Sequence, residues 1–206
     1  MKPIIMSSTS VRAILDGNKT QTRRVVKPQP IYNGEYNDQW KWKTGHWCEE
    51  REMSGWLYLG APIKDGDRLW VRETWGLWSE TWTDCGWEAE GLSGGKQPRK
   101  LPQSNSFERF FIAYKATGLD YELCDGERWY PSIFMPKWAA RVWLEVTGVR
   151  VERVQDLTKQ DALAEGMQGC FPRIDFETLW DSLNKKHPWE SNPWVLVYEF
   201  KRIIMR

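Results

Sequence analysis

Apolar and polar positions along this chain alternate mostly with the period of a strand, and change to the helical period in three short stretches. The first is Val11, Ile14 and Leu15, spaced i, i+3, i+4. Ser7, Ser8, Thr9 and Ser10 precede it with hydroxyls suited to capping, and Gly17 suits the left-handed residue that ends a helix. The second opens at Thr158, read as an N-cap with Asp161 at the reciprocal position, and runs to Gly166. The third is Phe176, Leu179, Trp180 and Leu183, which predicts an amphipathic helix over 175–184. Between them, β-branched and partly alternating residues predict a strand that begins near Lys19 and is closed by Pro28 and Pro30. Gly66-Asp67-Arg68 reads as a turn into a strand at 69–75. Further strands are expected at 110–116, at 142–154 with a bulge or bend at Gly148, and at 194–203. Residues 31–65 and 76–106 lack periodicity and read as irregular excursions, the first with room for one hairpin. The segment 129–138 is too proline-broken for regular structure. Several strands, few helices and no strict βαβ alternation point to an α+β, mainly β fold, a small barrel with short helices packed on it.

Composition narrows the class. With 206 residues, 41% hydrophobic and 28% charged, the chain fits one domain, 1–206, with a sizeable core. No stretch approaches the ~18 apolar residues of a membrane span, so no membrane role is expected. The apolar run before Ser7 is too short for a secretory signal, which makes the cytoplasm the expected location. Cys48, Cys85, Cys124 and Cys170 lie far apart and are expected to be reduced. His46-x-Cys48 is the one close His/Cys pair, and two ligands fall short of the ~4 of a structural zinc site, so no metal and no other cofactor is expected.

A net charge of +1 provides no global field toward phosphate, so any nucleic-acid contact must come from local clusters. The densest is Lys19, Arg23, Arg24 and Lys27, with Arg68 and Arg72 as further members. It reads equally as a phosphate strip and as a solvated face. Lys96, Arg99 and Lys100 lie in a Gly/Pro/Gln-rich loop that is more simply solvated. Glu73 is either a ligand or second acid at the site or the partner of Arg72 or Arg23 in an ion pair. Among the 15 tryptophans, Trp70, Trp143, Trp180 and Trp194 sit on periodic elements and read as core. Trp75, Trp78, Trp129 and Trp138 lie near strand ends or in irregular segments, where one or two could stack on a base. Arg23, Arg24, Lys27, Arg72, Glu73, Trp75 and Trp129 are therefore the candidate substrate or nucleic-acid contacts.

Three segments in order resemble the ASCH family, a branch of the PUA-like superfold. They are Gly17-Asn18-Lys19-Thr20-Gln21-Thr22-Arg23; Gly66-Asp67-Arg68-Leu69-Trp70-Val71; and Leu157-Thr158 through Ala162 and Glu165-Gly166, followed by Val197-Tyr198-Glu199-Phe200. Residues 129–139 and 176–184 look like the longer ASCH proteins of phages and prophages. The resemblance implies a PUA-like barrel with two Trp-rich insertions, at about 31–65 and 76–106. Its small bacterial N4-acetylcytidine amidohydrolases imply Thr22 as nucleophile, Lys19 as base and Glu165 as acid to the leaving amine. The implied ligand is a nucleoside or nucleic acid, RNA foremost. Two other classes stay open: a non-catalytic RNA- or DNA-binding module, and a phage accessory protein that grips a host protein.

Amide hydrolysis needs a nucleophile, a group to take its proton and an acid for the departing nitrogen. The odd offset from Lys19 to Thr22 is an obstacle, because a regular strand points such residues apart. The plain alternative is that Lys19 and Arg23 are edge-strand charges and Thr20 and Thr22 ordinary strand formers. Glu165 at a helix C-terminus opposes the dipole, at a cost of ~0.3–1 kcal/mol if exposed.

Overall fold

The computed structural model describes residues 1–34, 39–43, 45, 47–83, 86–91, 100–117 and 129–204. Gly94, Gly95, Lys96, Pro98, Arg99, His46, Cys85 and Cys124 lie outside them. In chain order the strands are β1 (Lys2–Ile5), β2 (Gln21–Val25), β3 (Ile31–Asn33), β4 (Gln39–Lys41), β5 (Arg68–Arg72), β6 (Trp75–Thr83), β7 (Gly86–Gly91), β8 (Glu108–Tyr114), β9 (Trp143–Arg153) and β10 (Trp194–Ile203). The α-helices are α1 (Ser8–Leu15), α2 (Glu50–Leu59), α3 (Lys159–Ala164) and α4 (Pro172–Leu183). The α+β, mainly β class is as expected. The described strands form open sheets and none closes into a barrel.

The chain forms two compact units from interleaved segments. The first takes Met1–Leu15, Leu69–Leu144 and Ile203–Arg206. In it β1 runs parallel to β5, with Lys2 opposite Leu69 and Ile5 opposite Arg72. A separate sheet has the order β7-β6-β8, all antiparallel, with Trp75 opposite Tyr114 and Thr81 opposite Glu108. This sheet corrects the irregular reading of 76–106 over 76–83 and 86–91, while 100–106 are irregular as expected. The sequence of β6 and β7 mixes Trp and Leu with Gly, Ser, Glu and Thr, so the clean apolar alternation that marks a half-buried strand is missing. Residues 129–138 form two 3₁₀ turns, Ser132–Phe134 and Lys137–Ala139, as their prolines demand.

The second unit takes Asp16–Arg68 and Glu145–Arg202 and holds the ladder β9-β10-β2. The middle strand, β10, is buried on both faces. Trp194, Leu196 and Tyr198 pack with Val26, Cys48, Met53, Leu57 and Ala61. Val195 and Val197 point the other way, toward Val154, Leu157, Ala162, Phe176, Trp180 and Trp189. In 31–65 the antiparallel pair of β3 and β4 is the expected hairpin, while the helix α2, which covers the first face, corrects the irregular reading of 50–59. Met53 and Leu57 lie one turn apart and are buried to 1%, each contributing ~1.5–3 kcal/mol of transfer free energy. Gly55 and the exposed Trp56 and Leu59 blurred that stripe. α3 and α4 cover the second face. Thr158 caps α3 by accepting from the Asp161 amide, while the Asp161 carboxylate accepts from the Thr158 amide, so the capping box is complete.

Candidate functional site

The turn after α1 sets the site. Gly17 adopts φ +78°, which a residue with a Cβ rarely takes, and the chain then enters the edge of the second unit's ladder. Before β2 becomes regular, Lys19 forms an antiparallel bridge with Glu165, and the Thr20 amide donates to the Ala164 carbonyl at 2.8 Å. The end of α3 thus lies along the outer edge of β2, and residues separated by 146 positions meet.

The Lys19 ammonium donates to the Glu165 carboxylate at 2.6 Å and to the Glu165 carbonyl at 2.7 Å. Both residues are almost wholly enclosed, 5% and 4% exposed. Arg23 Nη1 reaches the other Glu165 oxygen at 3.3 Å. Its Nε and Nη2 hold Glu152 Oε1 at 3.1 and 2.5 Å, and the guanidinium lies over the Phe176 ring. Gln21 donates to the Asp161 carbonyl and carboxylate at 3.0 and 3.2 Å. Arg150 closes the network through Glu152, Asp161 and Glu199. Burial alone would raise the Asp161 carboxyl. Hydrogen bonds from the Thr158 hydroxyl and amide, the Arg23 charge and the Gln21 amide outweigh it and hold that group down at about 2.

Thr22 is buried in register with Tyr198, whereas Arg23 pairs with Val197. Opposite residues share a face, so Thr22 belongs to the α2 side with Tyr198, and Arg23 to the α3 and α4 side with Val197. Among the described residues, no hydrogen bond joins the Thr22 hydroxyl to Lys19 or Glu165. The Glu165 carboxylate nevertheless lies at the strand's edge, where it pairs with Arg23 from one face and interacts electrostatically with Arg24 from the other. Burial pushes the Tyr198 hydroxyl up to about 12, against the pull of the Arg24 charge.

The remaining candidates are dispersed. Lys27 is exposed beyond β2. In the first unit, Glu73 is 0% exposed and binds Arg141 through both oxygens, at 2.9 and 2.8 Å. Neither Arg72 nor Arg23 is its partner; Arg72 instead lies over the Trp70 ring. Arg141 also covers the Tyr114 ring, and burial carries that phenol up to about 12 despite the Arg141 charge, with Glu73 adding to the rise. Trp75 is not an open stacking platform: it is 0% exposed and packs against Tyr130, Trp138, Met135 and Ala139. Trp129 is half-buried against Trp78. Trp70, Trp180 and Trp194 are core, and Trp143 is half-buried. Arg141, Glu152 and Arg150 were missed by sequence reasoning. They sit on or near strand 142–154 as isolated charges, and only the fold reveals their partners.

Among the described residues, no group of three or more His, Cys, Asp or Glu side chains is arranged to hold a metal. No helix among them is long and apolar enough to cross a membrane. Compared with known proteins, the chain matches no family model, no curated protein and no solved structure.

Proposed function

We propose that this chain is a PUA-like protein of the ASCH type that hydrolyses the amide of an N-acylated cytidine-like nucleoside or a modified nucleic acid, with the Lys19–Glu165 pair as its chemical centre. The observation that carries this reading is the buried 2.6 Å contact between an amine and a carboxylate from opposite ends of the chain. One proton moved across that hydrogen bond yields an amine able to accept a proton and an acid able to donate one, the two roles amide hydrolysis requires. In the reaction the nucleophile's oxygen bonds to the acyl carbon and its proton passes to Lys19. The C–N bond then breaks and the exocyclic nitrogen leaves with the proton from Glu165. Where the nucleophile is Thr22, a water then attacks the acyl-threonine ester and gives its proton to Glu165, and the threonine oxygen leaves with the proton held by Lys19.

The nucleophile implied by the resemblance is Thr22, which the ladder register assigns to the other face. Incubation with N4-acetylcytidine, followed by chromatography, tests both points. Deacetylation by the native chain, lost in Thr22→Ala, makes the threonine the nucleophile. Deacetylation retained in Thr22→Ala but lost in Lys19→Met assigns that role to water. No turnover by the native chain removes the enzyme reading. The second reading is a non-catalytic nucleic-acid module in which the pair only fastens α3 to β2. It is favoured by the saturation of Glu165, whose carboxylate already serves Lys19 and Arg23.

A further inference from the structure

Away from the Lys19–Glu165 pair, the second unit carries an open cleft of about 590 Å³ lined by Lys27, Ser182, Leu183, Asn184, Lys185, Lys186 and His187. Its volume falls within the roughly 300–1,000 Å³ usual for small-molecule sites. The cleft is built by two elements. Val25 of β2 packs beside Phe176 and Trp180 of α4, and Lys27, two residues beyond the strand, lines the cleft together with the residues that follow α4. The residues that follow α4 are fixed by hydrogen bonds. The Asn184 amide and side-chain amide both donate to the Trp180 carbonyl, at 2.8 and 3.1 Å. The His187 amide donates to the Asn184 carbonyl at 2.7 Å, and Trp180 Nε1 donates to the His187 carbonyl at 2.9 Å.

Among the described residues, no carboxylate lines this cleft. The nearby Asp181 accepts from the Trp189 amide at 2.6 Å. Lys27, Lys185 and Lys186 are exposed, and none forms an ion pair among the described residues. Lysines beyond a helix C-terminus complement its dipole, which accounts for Lys185 and Lys186. It does not account for Lys27, which reaches the same hollow from a different element. Three exposed lysines lining one concavity, with a histidine and no acid among the lining residues, form the charge pattern that a multiply charged oxyanion would neutralise.

We propose that this cleft binds a phosphate-bearing anion. Two sources share that chemistry, a free polyphosphate such as that of a nucleotide and the backbone of a nucleic-acid strand. The site is separate from the Lys19–Glu165 pair, and its test needs no catalysis. Tripolyphosphate and a short single-stranded oligoribonucleotide are each titrated into the full chain by calorimetry at low salt. The native chain is expected to bind at least one of them saturably. Lys185→Gln/Lys186→Gln is expected to weaken that binding about tenfold or more, and Lys27→Gln to weaken it further in the same direction. For the oligoribonucleotide, the dependence of log K on log salt is expected to flatten by ~0.7 for each phosphate that the variant no longer neutralises. Tighter binding of tripolyphosphate identifies a free polyphosphate as the ligand, and tighter binding of the strand identifies nucleic acid. No saturable binding of either probe overturns the site. So does an equal loss in the control Lys159→Gln/Lys201→Gln, which removes the same charge elsewhere on the unit.

Discussion

The strand β2 and the residues flanking it carry cations with two opposite fates. Lys19 and Arg23 are enclosed, and carboxylates face every one of their charged ends: Glu165 for the first, and Glu165, Glu152 and Asp161 for the second. Lys27, a few residues on, is exposed among Lys185, Lys186 and His187 with no acid in the lining. In sequence the three cations look alike. The difference lies in what the fold brings against them, since α3 delivers carboxylates to one end of the strand and the residues after α4 deliver lysines beyond the other. A neutralised, enclosed cluster is committed to its own partners and can serve a fastening or an internal proton transfer. An open, unneutralised one is available to a ligand.

This contrast can be broken from its buried side first. Lys19→Met leaves Glu165 enclosed with the longer Arg23 contact and the Arg24 charge, and the expected loss is about 3–5 kcal/mol in urea denaturation. The double variant Lys19→Met/Glu165→Leu removes both charges. It is expected to regain most of that loss, because well-packed apolar replacements of a buried pair are often neutral or stabilising by ~1–4 kcal/mol. A smaller effect is expected at the cap that aims α3 toward β2, where Thr158→Ala should cost ~1 kcal/mol in the same assay.

Acid sharpens the comparison in another way. The Asp161 carboxyl titrates at about 2 in the folded chain, below its ordinary unfolded value of ~3.9. A group depressed on folding contributes stability that is fully present above the unfolded value and disappears as pH falls through the folded one. Native-chain stability should therefore fall between about pH 4 and pH 2, and Asp161→Asn should flatten that fall; an unchanged slope would show that the network contributes nothing. The open side should be nearly indifferent, with Lys185→Gln/Lys186→Gln shifting stability by less than ~0.5 kcal/mol.

Much of this contrast was legible in the residues, though unevenly. α1, α3 and α4 were announced by caps and by i, i+3, i+4 spacing, β9 by long apolar alternation, and β10 by the continuous apolar run of a strand buried on both faces. The meeting of Lys19 with Glu165 came only through the order of short motifs. Nothing local in a Lys-Thr-Gln-Thr run states that a carboxylate 146 residues away will lie beside it. The α2 stripe was interrupted by Gly55 and by apolar residues that remain exposed, and β6 and β7 carry polar and aromatic residues without alternation. The ion pair of Glu73 with Arg141 was invisible for the same reason as that of Arg23 with Glu152: a charge in a sequence does not name its partner. Lys185 and Lys186 carry no local signal beyond being adjacent lysines after a helix. Only the fold sets Lys27 beside them.

The most direct measurement is deacetylation of N4-acetylcytidine by the Lys19→Met/Glu165→Leu double variant, which is expected to keep the fold, as the urea assay checks, while lacking the buried pair. The native chain should release free cytidine, and the double variant should fall by about 10²-fold or more under identical conditions. Equal rates in the two proteins, or none in either, would contradict the assignment of chemistry to that pair.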